Sequence, residues 1–112
     1  SNTTIARPDT LKSPLRREAG GLSGAPLFSA STAMLARAYR LAGRQLNFIG
    51  AGGVFTAEDA LAKLLAGASL VQIYTGFAYQ GPAMLPKLKQ RLATLLKDRG
   101  FNTVSDAVGA GL

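Results

Sequence analysis

Residues 46–53 read Leu-Asn-Phe-Ile-Gly-Ala-Gly-Gly, and residues 69–76 read Ser-Leu-Val-Gln-Ile-Tyr-Thr-Gly. In the first, Leu46–Gly50 is a short apolar run that makes a strand, and Gly50, Gly52 and Gly53 follow it in a tight turn. In the second, residues 69–74 make another strand, whose Leu70, Val71 and Ile73 cover both faces, as in a buried parallel strand. Between them Thr56 begins a helix with Asp59 three positions on, a capping box with Asp in place of the usual Glu. Ala60, Leu61, Leu64 and Leu65 give that helix its buried stripe, and Gly67 closes it. Strands alternating with helices of this length imply parallel βα units, hence an α/β fold.

Outward from this centre the pattern continues. Residues 29–43 predict a helix, with Ser29 or Ser31 as cap, Met34, Leu35, Ala38 and Leu41 at helical spacing, and Gly43 at its end. Residues 4–28 are polar and punctuated by Pro8, Pro14, Gly20, Gly21, Gly24 and Pro26, so they predict a long loop of the kind used for lids and binding. On the other side, a helix is expected over about 82–99, with Leu85, Leu88, Leu92, Leu95 and Leu96 along one side and Gly100 as its left-handed stop. A short helix near 103–109 completes the order loop, α, β, α, β, α, α. Two strands, plus the tail of one at residues 1–3, cannot bury both faces of a parallel sheet, which points to a piece of a larger α/β structure.

Composition narrows the chemistry. Hydrophobic residues make up 47% and charged ones 17%, enough for a core. No apolar run is long enough to span a bilayer, and Ser1-Asn2-Thr3-Thr4 does not open a signal peptide. Cysteine and histidine are both absent, removing thiolate chemistry and the commonest general base and metal ligand. Glu58 and Asp59 are adjacent, but both suit the first turn of a helix, where the dipole favours negative charge. A self-contained hydrolase or metalloenzyme is therefore not expected, and no metal ligands are assigned. The net charge of +7 would suit nucleic acid or an anionic surface. However, the Lys and Arg residues are dispersed, the cluster Lys87, Lys89, Arg91, Lys97 and Arg99 decorates one helix, and no aromatic residues interleave with them.

The glycine turns carry the functional signal. Gly50-Ala51-Gly52-Gly53 lies directly after a strand and before a helix, where the backbone can approach a ligand and helix-start N–H groups attract an anion. Tyr74-Thr75-Gly76 occupies the same kind of position one strand later. The spacing is not that of a dinucleotide fingerprint. In a (β/α)8 barrel, the loops after the last two strands commonly build a phosphate site at the C-terminal face. Either turn alone favours a tight connection that binds nothing, and two of them on successive βα units bring the phosphate reading level with it.

Four segments together carry a resemblance: Ser1-Asn2-Thr3-Thr4; Gly20 to Leu27; Ile49-Gly50-Ala51-Gly52-Gly53-Val54; and Ala66 to Thr75 with Gly81-Pro82 after it. In order and spacing they resemble the last third of the class 2, quinone-dependent dihydroorotate dehydrogenases. The resemblance implies the C-terminal part, about the last two to three βα units, of an FMN-binding (β/α)8 barrel spanning residues 1–112. It implies oxidation of dihydroorotate to orotate in pyrimidine biosynthesis, with a quinone reoxidising the flavin. On the family's pattern Asn2 and Thr3 contact substrate. Ser1, where the family usually has Thr, contacts FMN, as do Ser23 and Gly24. Gly52, Gly53, Tyr74 and Thr75 hold the phosphate.

The same resemblance puts the serine base, a flavin-contacting lysine and the membrane-associated N-terminal helices before residue 1. No catalytic residue is therefore assigned within the chain, which is expected to be inactive alone. The parent enzyme is expected to be a peripheral membrane protein. Two other readings stay open: a different FMN barrel, such as a cytosolic dihydroorotate dehydrogenase, and a basic nucleic-acid-binding module.

Overall fold

The computed structural model describes residues 2–112. Seven regular elements follow one another: α1 (Phe28–Ala42), β1 (Phe48–Gly50), α2 (Ala57–Leu65), β2 (Ala68–Val71), α3 (Thr75–Gln80), α4 (Met84–Asp98) and α5 (Val104–Ala107). Single 3-10 turns at Ala25–Leu27 and Gly43–Gln45 precede and follow α1. The two strands pair in parallel, with Phe48 opposite Ala68 and Gly50 opposite Val71 and an irregularity between Phe48 and Ile49. The expected parallel βα arrangement is thus present.

Local chemistry sets the element ends. Thr56 and Asp59 form the capping box in full: the Asp59 amide donates to Thr56 Oγ1 at 3.1 Å, and Asp59 Oδ2 accepts from the Thr56 amide at 2.9 Å. Thr103 and Asp106 repeat it at the start of α5. Beyond α4, Gly100 takes a positive φ of 78° and closes the helix from the expected position.

Two apolar clusters hold the elements together. Leu35 and Ala36 of α1 pack with Ala66 and Ala68, and Phe48 joins them from β1, its ring edge-on to Tyr39 at 6.2 Å. Leu61 and Leu64 of α2 meet Leu96 of α4 and Ala107 of α5, with Leu65, Val71, Leu92, Leu95 and Phe101 around them. Truncating a buried leucine such as Leu61 costs about 2–5 kcal/mol in comparable cores.

Several expectations are corrected. α1 starts at Phe28 with no side-chain cap; Ser31 is buried within the helix and bonds elsewhere. Met34 and Leu41 point to solvent, because the packed face of α1 is made of Ser31, Leu35 and Ala36. The second strand ends at Val71, and Tyr74 leads into α3, a short helix that periodicity did not predict. Leu70, expected to be buried, is 65% exposed and Ile49 59%, so the sheet presents an uncovered apolar side. The 4–28 loop lacks long elements but is tied down. Thr4 and Leu22 exchange backbone bonds of 3.0 and 2.7 Å, and the Arg7 guanidinium donates to the carbonyls of Glu18 and Gly20. Asn2 and Thr3 lie outside any strand.

Candidate functional site

The C-terminal ends of β1 and β2 open into one cavity of about 180 Å³. Its wall is drawn from four separate parts of the chain: Asn2 and Thr3, Ser23 and Gly24, the turn Ala51–Phe55 after β1, and Gln72 with Tyr74–Gly76 after β2. Parallel pairing is what puts the two turns side by side, since both strands then end at the same edge. Across the cavity Thr75 Oγ1 donates to Ser23 Oγ at 3.2 Å, joining the long loop to the start of α3.

The β1 turn has a backbone that side chains would not permit. Gly52 and Gly53 take φ values of 93° and 76°, a region that costs other residues about 1–2 kcal/mol. A Cβ on Gly53 would also sit 2.6 Å from the backbone N and Cα of Phe28, so the turn presses on the first residue of α1. In the second turn, a Cβ on Gly76 would meet the Val54 carbonyl oxygen at 2.4 Å. The two turns therefore touch through backbone, and the space between them is set by the absence of side chains.

Among the described residues, the amides of Gly52, Gly53, Thr75 and Gly76 donate to no protein acceptor. No carboxylate lines the cavity among those residues. Backbone donors and hydroxyls without a competing anion form the donor set of a phosphate group. One detail of the expectation changes. The start of α2 is taken by its own side chain: Asp59 Oδ2 accepts from the amides of both Phe55 and Thr56. Among the described residues, the free backbone donors that line the cavity are thus those of the glycine turn and of the turn entering α3.

Asn2, Thr3, Ser23, Gly24, Gly52, Gly53, Tyr74 and Thr75 all line this one cavity. Ser1 lies outside the described residues. Tyr74 is 79% exposed. Four wall residues besides Gly76 went unassigned by sequence reasoning: Ala51, Val54, Phe55 and Gln72. Gln72 was legible, standing two places before Tyr74 in the strand run. Phe55 was not, because its position depends on Asp59 holding its amide and Gln80 Nε2 its carbonyl.

Parallel βα units with glycine turns at the strands' C-terminal ends have the layout of (β/α)8 barrels, whose ligand sites lie at that face. The family model for dihydroorotate dehydrogenase matches residues 1–96, and the chain belongs to that family. Among curated relatives, it is 52% identical over 111 residues to the dihydroorotate dehydrogenase (quinone) of Azorhizobium caulinodans, covering 99% of this chain and 31% of the relative. It is 50% identical to the mitochondrial dihydroorotate dehydrogenase (quinone) of Arabidopsis thaliana, covering 98% of this chain and 24% of the relative. The ligand-free crystal structure of the enzyme from Eimeria tenella superposes with a TM-score of 0.94 at 40% identity, over 98% of this chain and 30% of that one. The chain therefore spans about a third or less of the length of these relatives, and its α/β fold is that of a portion of their barrel.

Proposed function

We propose that this chain supplies part of the FMN and substrate sites of a quinone-reducing dihydroorotate dehydrogenase, which oxidises dihydroorotate to orotate in pyrimidine biosynthesis. The carrying observation is the convergence of four sequence-distant segments on one carboxylate-free cavity with unpaired backbone donors. Gly52, Gly53, Tyr74 and Thr75 hold the FMN phosphate through backbone and hydroxyl groups. Ser23 and Gly24, with Ser1, contact the flavin. Asn2 and Thr3 bind the substrate: a side-chain amide both donates and accepts, and a hydroxyl does the same, matching a pyrimidine ring that bears a carboxylate. When bound, FMN supplies two-electron chemistry, accepting a hydride equivalent from the substrate and passing electrons to the quinone.

At about 180 Å³ the cavity falls below the roughly 300–1,000 Å³ of a complete small-molecule site. That size suits one end of a cofactor whose remainder is enclosed by other barrel strands. The general base, a serine, and the membrane-associated segment that admits quinone belong to those other parts of the polypeptide, and no residue of this chain is assigned to catalysis. Among the described residues no helix is long and apolar enough to cross a membrane. The parent enzyme associates peripherally through segments outside this chain. Its partners are the substrate, FMN and quinone, with no nucleic acid.

The quinone class is favoured over the cytosolic class because the relatives at 50–52% identity carry that acceptor in their names. The deciding assay uses the complete polypeptide that contains this chain, supplied with dihydroorotate and, in separate reactions, a soluble quinone, fumarate and NAD. Dihydroorotate-dependent quinone reduction is expected. Turnover with fumarate or NAD and none with quinone would overturn the class assignment in favour of the cytosolic enzymes.

A further inference from the structure

Lys63 is a basic residue of α2 with no solvent exposure. It is not part of the cavity wall. Its stem lies against the end of β1, where a Cβ on Gly50 would come within 2.9 Å of Lys63 Cβ, so a glycine is needed for the chain to pass. Its ammonium donates to Ser31 Oγ at 2.6 Å and to Thr32 Oγ1 at 2.7 Å, and lies 4.9 Å from the centre of the Phe28 ring. No carboxylate makes an ion pair with it among the described residues, where Glu58–Arg91 is the ion pair formed. A fully buried ammonium held by two hydroxyls is a costly arrangement for a merely structural lysine.

Hydrogen-bond accounting shows what the arrangement does. An ammonium only donates, so both hydroxyl oxygens that face it must accept and send their single protons the other way. Thr32 Oγ1 sends its proton to the Phe28 carbonyl at 2.7 Å. That carbonyl also lies 3.0 Å from Ser31 Oγ, as does the carbonyl of Gly52. The Ser31 proton is thereby left for these two carbonyls, of which that of Gly52 is the one outside α1. Through that contact the Gly52 carbonyl is held toward α1, while Gly52 and Gly53, whose amides donate to no protein acceptor among the described residues, line the cavity.

We propose that Lys63 is a positioning residue for phosphate recognition, fixing the Gly52–Gly53 turn through Ser31 without touching the ligand. The proposal rests on the assignment of this turn to the FMN phosphate. Burial lowers the Lys63 pKa to about 8, with the Asp59 charge acting in the opposite direction, so the side chain is predominantly protonated at neutral pH.

The test compares FMN with riboflavin, which lacks the phosphate, as ligands of the complete apo-polypeptide and of its Lys63→Met and Ser31→Ala variants. Met keeps the length of the stem and removes the donors. Each variant is expected to lose about tenfold in the preference for FMN over riboflavin, the scale of one charge-assisted hydrogen bond, with riboflavin affinity unchanged. The double variant is expected to lose no more than the worse single one, because both substitutions break the same chain of contacts. A full wild-type preference for FMN in both variants overturns the role of Lys63, as does an equal loss of affinity for both ligands. If the unsubstituted protein itself binds FMN and riboflavin equally, the phosphate assignment falls first. Should Lys63→Met not fold, Ser31→Ala reads the same contact alone.

Discussion

Gly53 shows how much of the site depends on single backbone positions. Its φ of 76° and the 2.6 Å approach of a hypothetical Cβ to Phe28 act together. Gly53→Ala therefore meets both a conformational cost of about 1–2 kcal/mol and a clash with main chain that cannot swing away. The complete protein carrying it should retain less than about a tenth of the wild-type FMN affinity, measured by flavin absorbance after gel filtration. Wild-type flavin content would mean that the turn does not need glycine there. Lys63 makes a different prediction. Its folded pKa of about 8 lies below the ordinary 10.5 because burial disfavours the charged form, while Asp59 partly offsets that. Below pH 8 both folded and unfolded states hold the proton, so the cost of the buried charge is fully present. Between pH 8 and 10.5 the unfolded state binds more protons, and stability rises with pH. The gap in unfolding free energy between wild type and Lys63→Met should shift in favour of wild type by up to roughly 3 kcal/mol across that interval. Urea titrations at pH 7.5, 9 and 10.5 measure it, and a gap that is constant with pH would contradict a buried charge.

Elements were legible in the sequence where their causes are local. The start of α2 follows from Thr56 and Asp59 standing three apart, and the structure repeats that pairing bond for bond. Thr56→Ala removes the Oγ1 acceptor of the Asp59 amide and should cost about 1 kcal/mol, read as a lower denaturation midpoint with an unchanged slope. A loss of under a few tenths would show that Asp59 alone sustains the helix start. Where the cause is tertiary, sequence reasoning missed. Ser31 looked like a helix cap because serine favours that position, yet its partners are Gly52, 21 positions on, and Lys63, 32 positions on. Lys63 drew no reading of its own from the sequence, because its burial depends on Phe28, Ser31 and Thr32 arriving from another helix. α3 escaped notice because it is six residues long and has no side-chain cap. Of the cavity wall, the two glycine-bearing turns were legible from the strands they follow, whereas Asn2, Thr3, Ser23 and Gly24 were reached only through the family resemblance. Phe55, whose place depends on contacts from Asp59 and Gln80, was not legible.

At the scale of the whole chain, the uncovered sheet decides how these residues can behave in isolation. Ile49 and Leu70 expose 59% and 65% of their surface, and Leu46 beside them 58%. In a closed barrel, neighbouring strands and interior side chains cover such positions. Fully burying such a side chain is worth about 1.5–3 kcal/mol, so leaving some three-fifths of each exposed forgoes roughly 3–5 kcal/mol in all, comparable with the low end of the roughly 5–15 kcal/mol that separates folded from unfolded domains. The 112 residues expressed alone should therefore bind the dye ANS strongly, unfold over a broad denaturant range, retain no FMN on gel filtration and show no dihydroorotate-dependent quinone reduction. Adding the complementary part of the polypeptide, expressed separately, should suppress dye binding and restore flavin retention in parallel, because the same interface closes the sheet and completes the cofactor site. A sharply cooperative transition without dye binding in the lone chain would mean that it satisfies its own apolar surface. Quinone reduction by the lone chain would place the missing base within these residues, contrary to the division of labour proposed above.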